Sequence, residues 1–224
     1  MTAVRPPEYF PRLPYAALLL HADRFVLADT FPFSRQGGHN RARVRAAAGP
    51  QWLTVPRRHA GRPVALVETP VADAAWARKH LHALRAAYGQ APFYEHVAPG
   101  LAALLGRDYE SLADLACATV AWAARWLGAP AELVLASALP GAPGALADAF
   151  REAGGTVLLT LPESAERDRR GLLDVPVRVL RFEERERRQA FPGFVPGLSV
   201  LDLVFNYGPD AGAVLREGVE DREG

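Results

Sequence analysis

Lysine is almost absent from this chain of 224 residues, since Lys79 is the single lysine and the other 25 of its 26 basic residues are arginine. A lysine is a compact point charge whose pKa burial can lower, whereas an arginine guanidinium stays charged. A lysine kept in so arginine-rich a chain is therefore a candidate for chemistry that arginine cannot perform. The alternative is that Lys79 is an ordinary surface residue that the compositional bias missed.

Cysteine is equally scarce, because Cys117 is the only one, and a single cysteine excludes an intramolecular disulfide framework. A chain without disulfides suits a reducing compartment, so we expect a cytoplasmic protein. Cys117 lies in the apolar segment 112–120, where a free cysteine usually packs as a small hydrophobic residue. We therefore do not count it as a nucleophile.

Long apolar runs and excess charge of one sign are also missing. No stretch approaches the roughly 20 apolar residues that a membrane-spanning helix needs, and the formal net charge is +1. We expect neither a membrane span nor a nucleic-acid partner. The mixed-sign runs 167–170 and 183–188 predict solvated faces, and the length and composition predict one domain over residues 1–224 with a charged tail at 219–224.

The hydrophobic patterns predict an α/β fold: a mostly parallel sheet flanked by helices, an N-terminal hairpin insertion, and a helical middle segment from Asp73 to Leu127. Helices are predicted over 15–20, 73–88, 92–105, 111–127, 145–153 and 199–205, with another after Pro209. Strands are predicted over 25–28, 41–45, 51–55, 63–67, 132–136, 156–160 and 177–182. The strand, helix and strand between 132 and 160 predict a parallel pairing of those two strands.

A candidate binding site follows the strand at 25–28. Asp29 ends that strand, and the loop from Thr30 to Asn40 has no periodicity, so it is long enough to suggest a function. Ligands of open α/β sheets bind at the carboxyl ends of strands. The following side chains would line one lip of such a crevice: Asp29, Ser34, His39, Asn40 and Arg41. The alternative is a hairpin entry whose polar residues cap their own backbone.

A second candidate group lies on the helix from Asp73. Trp76, Lys79 and His80 fall within about one turn, so an indole, an ammonium and an imidazole can face a common pocket. His80 is a candidate general base because its usual pKa lies near neutral pH, and Lys79 could stabilise an oxyanion or a phosphate. The alternative is that His80 is a core histidine packed on Trp76.

Asp202 and Asn206 form a third group, because a spacing of four places them on one face of an otherwise apolar helix. Buried polar groups must be paired internally or must face a ligand. Internal pairing, with Arg41 or Lys79 as the partner of Asp202, is the slightly stronger hypothesis. Such a pair would still organise a neighbouring site.

Several familiar motifs do not occur. His21, Asp23, His59, His82 and His96 show no metal-ligand spacing, so we predict no metal site. Neither a phosphate-binding glycine loop nor a nucleophile elbow is present, and these patterns identify no cofactor. The glycine-containing segment 139–144 could admit an anion before the helix that follows, although its prolines favour a plain turn.

Ordered stretches over nearly the whole chain resemble one known family. They are residues 7–11, 25–29 with Phe33 and Ser34, Asn40 and Arg41 with Arg43, 52–56, Trp76 with 79–81, Tyr88 with Pro92 and Phe93, and 198–203 with Phe205, Asn206 and Gly208. Together they resemble the WbqC-like family, bacterial proteins often associated with O-antigen and other surface-polysaccharide biosynthesis. Each stretch is weak alone, but the ordered set is fairly specific.

The resemblance implies an enzyme that transfers an acyl or aminoacyl group to an amino-sugar intermediate, with a nucleotide-linked sugar as the small-molecule substrate. In that hypothesis His80 is the base, Lys79 and Arg41 hold anionic groups, and the remaining candidates position the substrate: Asp29, Ser34, Asn40, Trp76, Asp202 and Asn206.

The chain departs from the family pattern at three places. Arg5, Pro6 and Pro7 stand where the family usually has His-Gln-Pro, Gly37 and Gly38 replace Ser-Trp-like residues, and Thr30 replaces a second aspartate after Asp29. A degenerate, non-catalytic sugar- or nucleotide-binding protein is therefore the alternative, and a scaffold role comes third. Restoring histidine at Arg5 is expected to raise turnover only if the chain is a specialised or decayed enzyme.

Overall fold

The computed structural model describes residues 1–58, 62, 64–73 and 75–220 and confirms the predicted α/β class. Its strands are β1 (Thr2–Arg5), β2 (Arg24–Leu27), β3 (Arg41–Ala46), β4 (Gly49–Thr54), β5 (Glu132–Leu135), β6 (Leu158–Thr160), β7 (Val177–Val179), β8 (Arg181–Phe182) and β9 (Val219–Glu220). Its α-helices are α1 (Leu13–His21), α2 (Ala75–Tyr88), α3 (Tyr94–Leu105), α4 (Leu112–Leu127), α5 (Leu146–Glu152), α6 (Pro162–Arg170), α7 (Val200–Tyr207) and α8 (Ala211–Arg216).

Five strands form one parallel sheet in the order β5-β2-β1-β6-β7. β1 pairs with β2 from Thr2 opposite Arg24 to Arg5 opposite Leu27, and with β6 at Leu158. This central strand is missing from the sequence prediction, because four residues are too few to show a period. β5 and β6 share the sheet, but the predicted pairing between them is wrong, since β2 and β1 lie between them.

The antiparallel hairpin of β3 and β4 lies outside this sheet, as predicted, with Arg41 opposite Thr54. The predicted strand at 63–67 is wrong where it is described: Ala65 makes one isolated bridge, and Leu66–Glu68 form a 3-10 turn. Pro63 lies outside the described residues. The predicted strand at 177–182 divides into β7, which joins the parallel sheet, and β8, which pairs with β9.

Local sequence signals place the helices of the middle segment where they were predicted. Ser111 and Asp114 form a capping box at the start of α4. The same helix ends at Gly128, whose φ of 59° favours glycine. Asp73 accepts a hydrogen bond of 2.7 Å from the Ala75 N–H at the start of α2. The helical middle segment is therefore confirmed as α2, α3 and α4.

Helices cover both faces of the parallel sheet. Tyr15 and Leu18 of α1 and Val120 of α4 pack with Phe25 and other strand residues on one face. The opposite face carries a separate cluster that includes Val26 of β2 and Phe150 of α5. Because successive side chains of a strand point to opposite faces, Phe25 and Val26 divide between the two layers.

A larger apolar cluster joins α1, the hairpin, α2, α3, α4 and the C-terminal helices. Trp76 and Tyr88 of α2 are buried in it, and Tyr88 stacks on Phe205 of α7 with ring centroids 4.7 Å apart. Phe205 also stacks on Tyr94 of α3 at 5.6 Å. This cluster therefore holds the helical segment and the C-terminal helices together.

The prediction of solvated faces holds for most residues of the two mixed-sign runs and is wrong for Asp168, Glu184 and Arg187. Asp168 of run 167–170 is buried on α6 and bonds to Arg5 at 2.8 Å. In run 183–188, Arg187 bonds to Glu184 at 2.9 Å and to Asp202 at 3.3 Å, and all three side chains are largely buried. Each run contributes one or two residues to the interior, and the charges of the sequence alone do not show which residues these are.

None of the helices described here has the length and apolar character that a membrane crossing requires. Of the predicted charged tail, residues 221–224 lie outside the described part of the chain.

Candidate functional site

The most promising site is a cavity of about 440 Å³ at the carboxyl ends of β1 and β6. We call it the β1/β6 cavity, and it is lined by Arg5, Pro6, Glu8, Arg12, Tyr15, Phe31, Pro32, Ser34, Gln36, Gly37, His39, Leu161, Glu163, Ser164 and Arg167. The chain leaves β1 towards β2 on one side, whereas β6 lies on the other side and is followed there by β7. Such a switch point is where open α/β sheets bind ligands.

Arg5, the last residue of β1, is fixed in the floor of the β1/β6 cavity. Its Nη2 donates to the Ser164 hydroxyl at 2.9 Å and to the Asp168 carboxylate at 2.8 Å, and it also contacts the Thr160 hydroxyl. Thr160 in turn donates to Asp168 at 2.5 Å. This network satisfies the buried ion pair, so Arg5 is a rigid part of the site.

A guanidinium and a carboxylate form one wall, just before α1. Glu8 is buried, and it accepts hydrogen bonds from the Arg12 backbone N–H at 3.0 Å and from Arg12 Nη2 at 2.6 Å. The Arg12 side chain remains 55% exposed. Its Nη1 makes no hydrogen bond to the described residues, so it is available to an anionic ligand.

His39 contributes an imidazole from the loop that follows β2. Its Nδ1 lies 2.9 Å from the Pro7 carbonyl, and since a carbonyl only accepts, Nδ1 carries the proton. Burial lowers the pKa of His39, which keeps the ring neutral near pH 7 and leaves a lone pair on Nε2. The ring packs on Gly37, where a Cβ atom would come within 2.0 Å of Nε2. A glycine at position 37 therefore makes room for His39.

Tyr15 of α1 supplies a hydroxyl that no described residue satisfies. The side chain is buried and lines the β1/β6 cavity, yet its Oη has no hydrogen-bond partner. Burial raises the pKa of Tyr15 well above its usual value, so the hydroxyl keeps its proton. A buried donor without a partner is rare in native proteins. Because the side chain lines the β1/β6 cavity, the Tyr15 hydroxyl is a candidate donor to a group bound there.

The group predicted on α2 has a different setting. Lys79 is exposed, whereas Trp76 and His80 are buried. His80 Nδ1 shares a hydrogen bond of 2.9 Å with the Tyr9 hydroxyl, and its ring lies 5.3 Å from that of Trp76. Burial lowers the pKa of His80 to about 4. The arrangement matches the alternative reading, a core histidine packed on Trp76, and it separates the imidazole from the ammonium.

The predicted loop residues also contact other parts of the fold. Asp29 accepts hydrogen bonds from the backbone and the hydroxyl of Ser137. Asn40 donates to the Val55 carbonyl at 2.8 Å, and Arg41 lies over the Trp52 ring at 4.8 Å. These contacts anchor the loop and the hairpin. Among the residues predicted for the lip, the cavity lining includes Ser34 and His39.

Asp202 and Asn206 are buried in α7, where they pair internally. Asp202 accepts from Arg187 at 3.3 Å, Gln189 at 3.1 Å and Tyr88 at 3.3 Å, so the predicted partners Arg41 and Lys79 are wrong. Asn206 donates to the Asp202 carbonyl at 2.7 Å. Burial raises the pKa of Asp202 to about 6, with Arg187 opposing the shift. Neither residue is among the lining of the β1/β6 cavity.

The structure thus joins Ser34 and His39 to residues that the sequence analysis did not select, chiefly Glu8, Arg12 and Tyr15. In the sequence, the one indication of these residues was the stretch 7–11, which contains Glu8 and carries part of the family resemblance. Arg12 and Tyr15 gave no signal, because Arg12 immediately precedes a short apolar helix and Tyr15 lies within it. In the described part of the chain, no group of three or more His, Cys, Asp or Glu side chains is placed to hold a metal ion.

Comparison with known proteins agrees with the ordered stretches in the sequence. The model of the WbqC-like protein family matches residues 6–214. A relative from Mycobacterium tuberculosis, named "Uncharacterized protein Rv1507c", is 28% identical over an alignment of 223 residues that covers 96% of each chain. No solved structure matches. The family match includes every residue that lines the β1/β6 cavity except Arg5.

Proposed function

The chain belongs to the WbqC-like protein family, and on that premise we propose that it attaches an acyl or aminoacyl group to the amine of a nucleotide-linked amino sugar. The product would be an intermediate of bacterial surface-polysaccharide synthesis, and the β1/β6 cavity would be the active site. One observation carries the proposal: a neutral histidine, His39, and an available guanidinium, Arg12, line the same cavity at the switch point of the sheet.

The arginines suit a substrate with phosphate groups. Arg12 and Arg167 both line the β1/β6 cavity and both are exposed. Guanidinium groups bind phosphate oxygens through paired, charge-assisted hydrogen bonds. Arg5 is buried and fully engaged by Asp168 and its neighbours. Glu8 orients Arg12, and Arg167 is 78% exposed and contacts Asp168 only at 3.4 Å, so the phosphates would bind to Arg12 and Arg167.

The transfer step needs a base for the attacking amine. In our proposal the amine nitrogen attacks the carbonyl carbon of an activated acyl donor, and His39 Nε2 accepts the proton that the nitrogen loses. The new C–N bond forms, the bond from the carbonyl carbon to the donor's leaving group breaks, and the leaving group takes up a proton. The Tyr15 hydroxyl would donate a hydrogen bond to the bound sugar nucleotide and help to hold it for this attack.

This assignment replaces the pair Lys79 and His80. Lys79 is exposed, whereas the His80 ring is held by the Tyr9 hydroxyl and by a hydrogen bond with the Thr54 backbone. His80 is therefore assigned to the core, and Lys79 to the surface. Trp76, Asp29, Asn40, Arg41, Asp202 and Asn206 would support the fold around the site.

A non-catalytic binding protein is the second candidate. The observation that favours it is Arg5, which occupies the place of the histidine that usually opens the family pattern and is held by Asp168. Arg5→His alone would leave Asp168 without its partner, so the histidine is better restored in the double variant Arg5→His/Asp168→Asn.

The test uses UDP-glucosamine, which carries a diphosphate and a free amine, as the probe. We expect calorimetry to detect binding to the wild type and a loss of at least tenfold in affinity for Arg12→Gln. With acyl thioesters as donors, mass spectrometry should detect the amide product. His39→Gln should bind UDP-glucosamine normally and lose most turnover. The controls His96→Gln and Lys79→Arg change exposed positions and should have normal UDP-glucosamine affinity and normal turnover.

The outcomes separate the two candidates. Binding without turnover in both the wild type and the double variant would favour the binding protein, whereas turnover gained by the double variant would indicate a specialised or decayed enzyme. Absence of UDP-glucosamine binding, or unchanged affinity in Arg12→Gln, would contradict the proposed site. Full turnover in His39→Gln would remove His39 as the base.

A further inference from the structure

A second cavity, of about 390 Å³, opens on the other side of the end of β1. We call it the α5 cavity, and its lining includes the apolar residues Val4, Phe31, Leu146 and Ala147 together with Arg5 and Asp168. It shares Arg5, Pro6, Phe31 and Arg167 with the β1/β6 cavity. Both volumes fall within the range of about 300–1,000 Å³ that is usual for small-molecule sites.

We propose that the α5 cavity binds the aliphatic acyl group of the donor substrate. The inference rests on the proposed function, because a transferase must bring two substrates together, and the two cavities meet at Arg5 and Pro6. The donor's acyl chain would lie against α5, with its carbonyl carbon at the shared boundary. The sugar amine would approach from the β1/β6 cavity.

The lining favours an aliphatic chain. Val4, Phe31, Leu146 and Ala147 are apolar, and transfer of a hydrocarbon chain from water to such surroundings is favourable. Val4 also belongs to the buried cluster on the α5 face of the sheet, and Phe31 and Leu146 pack against that cluster. The apolar surface of the cavity is therefore continuous with the core.

The charged groups of the α5 cavity argue against an aminoacyl donor. An aminoacyl group carries an ammonium, which would need an available carboxylate. The one carboxylate in the lining, Asp168, already accepts hydrogen bonds from Arg5, Thr160 and Arg167. Arg5 and Arg167 would also repel a cation. Within the described lining, an acyl group without charge is the better match.

Arg5 and Pro6 form a fixed boundary between the two cavities. Arg5 is held by Ser164 and Asp168, and its Nη1 donates to the Val4 carbonyl at 3.1 Å. A rigid boundary keeps the aliphatic chain out of the polar cavity. It also makes the two binding events separable, which the experiment uses.

The probes are butyrate, hexanoate and octanoate, with binding measured by ligand-observed NMR on the full chain. We expect affinity to rise up to about fourfold for each added methylene group, as for burial of a hydrocarbon chain. Ala147→Leu, which fills the α5 cavity, should weaken octanoate binding at least tenfold and leave UDP-glucosamine affinity unchanged. Ala103→Leu, at an exposed site of α3, is the matched control and should change neither.

A second variant tests the same cavity in the opposite direction. Leu146→Ala enlarges the cavity, so it should shift the preference towards chains longer than octanoate. An absence of chain-length dependence, or octanoate binding that Ala147→Leu leaves unchanged, would overturn the inference. Octanoate binding that behaves as expected, together with no binding of UDP-glucosamine, would contradict the proposed function alone.

Discussion

Two buried tyrosines show how a single hydroxyl separates a structural residue from a candidate ligand contact. The Tyr9 hydroxyl bonds to His80 at 2.9 Å, whereas the Tyr15 hydroxyl has no partner among the described residues. Both side chains are buried. Because an unsatisfied buried polar group costs free energy, the two Phe substitutions should have opposite effects on stability.

Tyr15→Phe is expected to leave the free energy of unfolding unchanged or to raise it by about 1 kcal/mol, and to weaken UDP-glucosamine binding about fivefold or more. Tyr9→Phe should lower the free energy of unfolding by about 1–3 kcal/mol and leave UDP-glucosamine binding intact in the folded fraction. Urea denaturation and calorimetry on both variants provide the measurement. A destabilised Tyr15→Phe variant with normal affinity would assign Tyr15 to the fold.

The buried pair of Arg5 and Asp168 should matter far more than an exposed pair on the same helix. Asp168→Asn leaves the Arg5 guanidinium buried without a counterion, so we expect a loss of about 3–5 kcal/mol in the free energy of unfolding. Glu166→Gln removes the exposed partner of Arg170 and should cost at most about 1 kcal/mol. Equal losses in urea denaturation would show that Arg5 is not effectively buried.

At the level of elements, the buried face of α2 is confirmed, whereas the catalytic role of its residues stays a prediction. The spacing of Trp76, His80, Leu84 and Tyr88 predicted one buried face, and all four are buried. The same periodicity places His80 on the buried face, which supports our assignment of His80 to the core. Lys79 was selected for its rarity, a property of composition that carries no information about position.

Strand β1 and the β1/β6 cavity could not be predicted from the sequence, for physical reasons. β1 has four residues, and its place at the centre of the sheet depends on pairing with β2 and β6, which are distant in sequence. The β1/β6 cavity depends on that pairing. Its lining residues Glu8, His39 and Ser164 come from three separate segments, so their proximity follows from the topology and from no local pattern. The loop from Thr30 to Asn40 was nevertheless recognisable by its length.

His80 gives α2 a testable pH dependence. Its folded-state pKa of about 4 lies below the usual 6.5, so its contribution to stability is present above pH 6.5 and is lost as the pH falls through 4. Between pH 7 and pH 5 the wild type should therefore lose about 2 kcal/mol relative to His80→Gln. The pKa of Asp202 is raised, so its contribution to the free energy of unfolding changes with pH in the opposite direction to that of His80. Because Asp202 is present in both proteins, its contribution cancels in the comparison.

Urea denaturation of the two proteins at pH 7 and pH 5 measures this difference. His96→Gln, at an exposed position of α3, is the control and should follow the wild type at both values. A stability difference between the wild type and His80→Gln that stays constant with pH would contradict a buried, neutral His80.

For the whole molecule, two helices connect the sheet to the helical segment. Leu13 and Ala16 of α1 pack in the large helical cluster, while Tyr15 and Leu18 of the same helix pack on the sheet. α4 divides its side chains in the same way between the two clusters. Because α1 and α4 belong to both clusters, unfolding of one cluster would remove these helices from the other. We therefore propose that residues 1–224 form one cooperative domain.

Tryptophan fluorescence can test this cooperativity because the four tryptophans lie outside the parallel sheet, at positions 52, 76, 122 and 126. In a Trp52→Phe background, which removes the reporter that is 53% exposed, the fluorescence reports on α2 and α4. We expect its urea midpoint to coincide with that for loss of amide protection at Ala3 and Val4 of β1, as two-state unfolding requires. A fluorescence midpoint at lower urea than the midpoint for amide protection in β1 would show that the chain unfolds as two units. The β1/β6 cavity would then belong to the unit that contains the sheet.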